Sequence, residues 1–304
     1  MKPQTILKSQ FGYDSFRTGQ EEAINDVLNH QNVLAIMPTG GGKSLCYQIP
    51  ALMLDGVTLV VSPLISLMKD QVDALTENGI AATFINSSLD YDEINSRFNQ
   101  AANGEVKLLY VSPERLDSGY LSRLAELPID LVAIDEAHCI SQWGHDFRPS
   151  YLNLAQTIQQ LPSQPTIIAL TATATPIVAQ DIMQRLGLQD EVKTGFSRPN
   201  LAFKVIKHQD NDKYLVDYLK QNAGQSGIVY ASTRKEVEHL TKLLNKKHID
   251  ATMYHGGLPK DVRRENQEDF LYDRVPVMVA TNAFGMGIDK SNVRFVIHAQ
   301  VPGS

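Results

Sequence analysis

The chain has 304 residues, long enough for two domains of ordinary size. With 43% apolar and 20% charged residues its composition is that of a globular chain, which excludes a disordered or fibrous class. A formal net charge of −6 argues against coating nucleic acid by bulk electrostatics, while leaving a local binding groove open.

No apolar run reaches the roughly 20 residues of a membrane-spanning helix, so no membrane partner is expected. Met1-Lys2-Pro3-Gln4 leads into no sustained apolar segment of the signal-peptide kind. The two cysteines, Cys46 and Cys139, cannot by themselves build a disulfide framework or a zinc cluster, and no zinc site is expected in this chain. The natural reading is a reducing, intracellular compartment, the cytoplasm.

From the N-terminus, Phe11-Gly12-Tyr13-Asp14-Ser15-Phe16-Arg17-Thr18-Gly19-Gln20 leads into a helix predicted over 21–28. Alone it is a helix start, although an aromatic ring and an amide here could stack on and hydrogen-bond an adenine edge. The apolar run 33–37 reads as a buried strand that empties into Met37-Pro38-Thr39-Gly40-Gly41-Gly42-Lys43-Ser44. A strand, consecutive glycines, Lys-Ser and a following helix make a grip for a nucleoside triphosphate. The glycine N–H groups turn onto the phosphates, Lys43 reaches the β and γ oxygens, and the Ser44 hydroxyl ligates Mg²⁺. The helix that follows from about residue 43 adds its dipole. The strict P-loop pattern asks for Gly at position 37, where this chain has Met. The alternative, a glycine turn without a ligand, fits less well because Gly-Lys-Ser follows a buried strand, the context the motif demands.

Further strands are predicted over 58–62, 83–86, 107–112, 131–134 and 166–170, with helical patterns over 64–78 and 90–103. Strands alternating with helices predict a parallel sheet covered on both faces. The pattern weakens over 187–200, where Ser197-Arg198-Pro199-Asn200 reads as a lobe junction. A second alternation follows, with strands over 201–206, 227–231, 251–254, 276–280 and 294–298 and helices over 212–221, 235–246 and 260–272. The fold class is α/β in two tandem lobes, 1–195 and 196–304. The second lobe stops within or just after a strand and is expected to be incomplete.

Three strand ends carry chemistry. The run 131–134 ends in Asp135-Glu136-Ala137-His138, which can place Asp135 on a Mg²⁺ shell while Glu136 polarises an attacking water. The run 166–170 ends in Thr171-Ala172-Thr173-Ala174. That is either a strand-to-helix turn with Thr175 as N-cap and Pro176 at the first helical position, or a relay built on Thr171 and Thr173. Between them, Cys139–Arg148 holds the single Trp of the chain, Trp143, beside His145, Phe147 and Arg148. Aromatics and Arg in a loop are what a single-strand binder uses to stack bases and hold phosphates. The alternative is a Trp that anchors the loop in the core.

Taken together these strings resemble the RecQ family of DNA helicases, within helicase superfamily two. The resemblance implies two RecA-like lobes with parallel sheets. Phe11–Gln20 resembles the family's adenine-reading motif, with Tyr13 stacking, Gln20 bonding the base edge and Arg17 assisting. Met37–Ser44 looks like its motif I, whose Pro-Thr-Gly-x-Gly-Lys-Ser accounts for Met37 and implies Thr39, Gly40, Gly41, Gly42, Lys43 and Ser44 as ATP·Mg²⁺ ligands. Ser62-Pro63-Leu64-Ile65-Ser66-Leu67-Met68-Lys69-Asp70-Gln71 resembles motif Ia and implies DNA-backbone contacts by Ser66 and Lys69. Asp135–His138 is similar to the DEAH box, which makes Lys43, Asp135 and Glu136 the catalytic set and Asp135 a second Mg²⁺ ligand. Cys139–Arg148 matches the aromatic-rich loop that links single-strand binding to hydrolysis and is the most family-specific piece. Thr171 and Thr173 then join the coupling set, with Trp143, His145, Phe147 and Arg148. In the second lobe, the stretch 227–234 looks like motif IV and brings in Arg234, the stretch 254–258 resembles the following turn, and the stretch 280–290 looks like motif V. The implied activity is ATP-driven 3′-to-5′ unwinding of single-stranded and partially duplex DNA by a monomeric motor core, in recombination and repair.

Val301-Pro302-Gly303-Ser304 resembles the residues just before motif VI, whose arginines supply a finger for the γ-phosphoryl transition state in relatives. The chain is therefore expected to be a fragment, also lacking the family's zinc-binding, winged-helix and HRDC modules. A second expectation follows: a module that holds ATP and single-stranded DNA but scarcely hydrolyses or unwinds. An RNA helicase shares the ATP site but gives no reason for the Trp143 loop.

Overall fold

The computed structural model describes residues 2–63, 65–117, 120–144, 147–151, 153–195, 200–207, 210–285 and 290–300, without the side chains of residues 66 and 117. Two compact units divide the chain, residues 1–199 and 200–304. Among the described residues, no helix is long and apolar enough to cross a membrane.

The strands of the first unit are β1 (Val33–Ile36), β2 (Val57–Val61), β3 (Ala82–Ile85), β4 (Leu108–Val111), β5 (Ile129–Ile134), β6 (Thr166–Thr171) and β7 (Asp190–Lys193). Among the described residues they form one seven-stranded parallel sheet in the order β3-β4-β2-β5-β6-β1-β7. Every residue of β1 and β2 is buried, as a strand covered by helices on both faces must be. The two-residue period of a strand divides the core: Leu34 and Ile36 join one apolar cluster, Val33 and Ala35 the other. Helix Tyr91–Ala102 shows how local signals set an element. Asp90 accepts from Glu93 N (2.8 Å), Glu93 Oε2 accepts from Asp90 N (3.1 Å), and Ile94, Phe98 and Ala101 turn inward. Thr175 caps helix Pro176–Leu186 as expected, accepting from Val178 N at 3.4 Å.

The second unit has β8 (Ser226–Tyr230), β9 (Ala251–Tyr254), β10 (Val277–Ala280) and β11 (Val293–His298), parallel and ordered β11-β8-β10-β9 among the described residues. Helices Asn211–Gln221, Arg234–Lys246 and Lys260–Leu271 pack beside it.

Two expectations are corrected. The stretch 187–200, where the pattern weakens and no strand is predicted, contains β7, which pairs with β1 from Val33↔Asp190 to Ile36↔Lys193, while the junction read at 197–200 agrees with the division of the chain after residue 199. Only Val192 of β7 is buried, so this edge strand lacks an apolar run to announce it. Conversely, 201–206 is not a strand. Leu201, Phe203, Val205 and Ile206 are exposed, and no described strand pairs with them. Strand propensity is realised only on a surface that is paired and half-buried.

Candidate functional site

The first unit's chemistry collects at the carboxyl ends of three neighbouring strands, β5, β6 and β1, where open α/β sheets place their ligand crevice. Neighbouring strands lie about 4.8 Å apart, so Asp135, Thr171 and Met37 leave the sheet within ~10 Å of one another. Met37 N donates to Thr171 O (3.0 Å) and Asp135 N to Val61 O (2.8 Å), which ties the first residue of each loop to the adjoining strand.

The loop after β1 is held from beneath. Arg17 Nη1 donates to Gly40 O, and the Gln20 amide donates to Gly41 O (3.2 Å) and Gly42 O (2.9 Å). Arg17 N in turn donates to Gln20 Oε1 (2.8 Å), leaving Gln20 1% exposed. Gly42 must be glycine for two reasons: its φ is +76°, and a Cβ there would lie 2.4 Å from Gln20 Nε2. With the glycine carbonyls engaged, the backbone N–H groups of Gly42, Lys43 and Ser44 have no acceptor among the described residues. Three consecutive open donors beside an ammonium suit a polyphosphate. Lys43 Nζ donates to Met37 O at 3.4 Å, a long bond that a phosphate oxygen can replace. Tyr13 is 52% exposed and Thr39 is also exposed, so both are open to solvent at this site.

Asp135, 8% exposed at the end of β5, accepts from Glu136 N at 3.0 Å. Burial and, second, the neighbouring Glu136 charge push its carboxyl up to about 6, against the Glu136 N–H, Lys43 and His138, which favour the anion. An oxygen donor kept short of positive charge fits Mg²⁺, a hard cation that prefers such ligands. Glu136 sits in the left-handed region at φ 48°, a strained place for a side chain bearing Cβ. Its Oε2 is 3.2 Å from His138 Nδ1, which is also 3.1 Å from Thr171 Oγ1. Thr171 Oγ1 donates its one proton to Thr173 O (3.3 Å) and accepts from Thr173 N (3.2 Å). It therefore accepts from His138, which assigns the proton to Nδ1 and shares it between Thr171 and Glu136. The turn expected at 171–176 is present, and Thr171 within it contacts the acidic turn through His138.

Beyond Glu136 the chain turns through a 3₁₀ segment, Ala137–Ile140, into the aromatic loop. Arg148 fastens that loop by its N–H to Cys139 O (3.0 Å) and by Nη1 to Pro63 O (3.1 Å). Trp143 is 74% exposed, so it does not anchor the loop. Phe147 is half-buried, and His145 lies outside the described residues. Lys69 is exposed on helix Ile65–Glu77, whereas the Ser66 side chain lies outside the described residues. Tyr151 is a residue that motif reading missed. Fully buried, it donates from OH to Asp135 O at 3.2 Å and props the acidic turn. Only its place downstream of an aromatic loop hints at that.

In the second unit, Arg234 opens helix Arg234–Lys246 behind the Thr233 cap, and its guanidinium packs on the Gly256–Gly257 turn. Tyr230 OH donates to Phe284 O (3.0 Å), tying the ends of β8 and β10. Residues 286–289, in the stretch resembling motif V, lie outside the described residues.

Comparison with known proteins fits this geometry. The DEAD/DEAH box helicase family matches residues 17–182, and the helicase conserved C-terminal domain matches residues 210–304. The ATP-dependent DNA helicase RecQ of Bacillus subtilis is 56% identical over 99% of this chain and 52% of its own length. The ATP-dependent DNA helicase RecQ of Haemophilus influenzae is 49% identical over 99% of this chain and 49% of its own. The chain thus spans about half the length of the curated relatives it matches. Among solved structures, the DUF1998 helicase MrfA bound to DNA shares the fold at a TM-score of 0.78 and 20% identity, over 100% of this chain and 45% of its own.

Proposed function

The chain belongs to the DEAD/DEAH box helicases and, within superfamily two, to the RecQ family, and on that premise we propose that it is the motor of an ATP-dependent 3′-to-5′ DNA helicase. Residues 1–195 are its ATP-binding lobe and residues 196–304 its second motor lobe. Tyr13, open to solvent beside the loop, addresses the adenine, whereas Arg17 and Gln20, expected at the base edge, have their polar groups engaged in holding the glycine loop from beneath. The open N–H groups of Gly42, Lys43 and Ser44, with Thr39, Gly40 and Gly41 shaping the loop, take the triphosphate. Ser44 and Asp135 would hold Mg²⁺, which when bound neutralises charge on the β and γ phosphates. Glu136, partly exposed at the left-handed turn after β5, orients and deprotonates the attacking water. His138 and Thr171 keep that carboxylate in place.

The observation that carries this reading is the placing of three open backbone donors after β1 and a buried, undercompensated carboxylate after β5 on either side of β6, whose last residue, Thr171, bonds Met37 N through its carbonyl and His138 through its hydroxyl. Single-stranded DNA is the track. Trp143 and Phe147 supply rings for the bases, and Arg148, His145, Ser66, Lys69, Thr173 and Arg234 supply backbone contacts or coupling. The aromatic loop starts next to Glu136, so DNA that orders it also orders the hydrolytic carboxylate.

Glu136→Gln tests the assignment. The variant should bind ATP as tightly as the parent and lose DNA-stimulated phosphate release by ~10²-fold or more. Hydrolysis at the parent rate would remove Glu136 from the role.

A further inference from the structure

The net charge of −6 conceals a division. Residues 1–199 carry thirteen Lys and Arg against twenty-two Asp and Glu, whereas residues 200–304 carry fifteen against twelve. Part of the second unit's positive charge lies along a single line. Helix Arg234–Lys246 buries Val237, Leu240, Thr241 and Leu244. Lys235, His239, Lys242 and Lys246 are exposed and follow one another at i, i+4, i+7 and i+11. At about 100° per residue these four fall within roughly 60° of one another, diametrically opposite the buried set.

No carboxylate of the helix itself interrupts this line, since Glu236 and Glu238 stand to either side of it, and Asp212 of helix Asn211–Gln221 meets it only at His239. His239 Nε2 pairs with Asp212 Oδ2 at 2.9 Å, so the free charge belongs to the lysines. None of the three forms an ion pair among the described residues. Lys242 and Lys246 are like charges one turn apart, an arrangement that costs a helix about 0.2–0.5 kcal/mol where a Glu would have stabilised it. The three ammonium groups extend over about 16 Å of helix axis.

A polyanion is the complementary partner, and the shape of the face selects which one. Binders of single strands combine a groove with stacking rings. This face is a convex helix surface, and the helix contains no Phe, Tyr or Trp. A straight basic line instead suits a stiff rod with regularly spaced charge, and duplex DNA carries one negative charge per about 1.7 Å of axis. We propose that the outer face of helix Arg234–Lys246 docks the phosphate backbone of duplex DNA through Lys235, Lys242 and Lys246. The choice of DNA over another polyanion rests on the motor reading; the surface itself does not.

The test uses the full chain without nucleotide, a blunt fluorescent duplex of about two helical turns, and an oligothymidylate of equal length, titrated from about 50 to 200 mM salt. Replacing the three lysines together, as Lys235→Glu, Lys242→Glu and Lys246→Glu, should weaken duplex binding at low salt by at least ~10-fold. It should also make the slope of log affinity against log salt shallower by about 2 to 3. Oligothymidylate binding and thermal melting should stay at parent values. The triple Lys→Gln variant should act in the same direction, and the triple Lys→Arg variant should bind like the parent. An unchanged duplex slope, an equal loss on oligothymidylate, or a loss shared by the Arg variant would each overturn the proposal. ATP hydrolysis is read separately, so a parent that binds duplex but shows no DNA-stimulated turnover would refute the motor reading and leave this surface intact.

Discussion

His138 Nδ1 lies 3.1 Å from Thr171 Oγ1, so the acidic turn after β5 is tied to the last residue of β6. The bond joins residues 33 positions apart and fixes the tautomer that also faces Glu136. Thr171→Val keeps the shape and removes the hydroxyl. Leaving buried polar groups unpartnered costs about 1–3 kcal/mol, or roughly 2–4 °C of melting temperature per kcal/mol in a unit of this size. ATP affinity should be retained while DNA-stimulated hydrolysis falls. A variant that melts lower yet hydrolyses at the parent rate would leave the contact structural only.

Gly42→Ala should be far more damaging than a single methyl suggests. Its Cβ would enter at 2.4 Å from Gln20 Nε2, at a φ of +76° that L-residues avoid. The strain is of order 1–3 kcal/mol. ATP binding, followed with a fluorescent analogue, should weaken by roughly ten-fold or more. Adding Gln20→Ala removes the clash but also the hydrogen bonds that hold the loop, and leaves the dihedral strain in place, so ATP affinity should stay below the parent value. Complete recovery would show that the dihedral is immaterial.

The Asp135 carboxyl, raised to about 6, makes opposite predictions for folding and for binding. Its folded value lies above its ordinary 3.8, so the folded state holds the extra proton between about 4 and 6. The stability it contributes is therefore present below about 4 and lost as pH rises through 6. Asp135→Asn should stabilise the nucleotide-free chain at pH 8 by something on the order of 3 kcal/mol. Mg²⁺-dependent ATP affinity should drop as pH falls through 6 in the parent and be weak at every pH in the variant. Lower melting of Asp135→Asn at pH 8 would contradict the assignment.

Trp143 is the converse case, a proposed base-stacking ring that the fold does not bury. With 74% of its surface open, Trp143→Ala should leave the melting temperature within about a degree of the parent. The concentration of single-stranded DNA giving half-maximal ATPase stimulation should rise by roughly 5- to 100-fold, the value of a lost stacking platform. Melting several degrees lower would make the ring an anchor after all.

The parts of this fold legible in the sequence are those whose causes are local. The run Val33–Ile36 is apolar at every position because both faces are covered, and Asp90 with Glu93 marks a helix start within four residues. The misreadings share the opposite character. The strand Asp190–Lys193 exists because β1 offers it a parallel edge, and only Val192 is buried there. Leu201, Phe203 and Val205 look like a strand but have no described neighbour to pair with. Strand existence at an edge is decided by the partner, which a local pattern does not contain.

The chemistry divides along the same line. The sequence by itself determined which groups are present: three glycines before Lys43 and Ser44, the Asp135-Glu136 pair, and an aromatic loop behind it. Residue type and spacing are sufficient for that, because each of these motifs is contained within one short loop. Only the tertiary structure decided that Gln20 lies buried beneath that loop, that His138 shares its proton between Glu136 and Thr171, and that Trp143 faces solvent. Each of these depends on the order β5-β6-β1 within the sheet or on what packs against a loop. Strand order brings residues from distant parts of the chain within 3 to 4 Å, and hydrogen bonds and burial act only at that range.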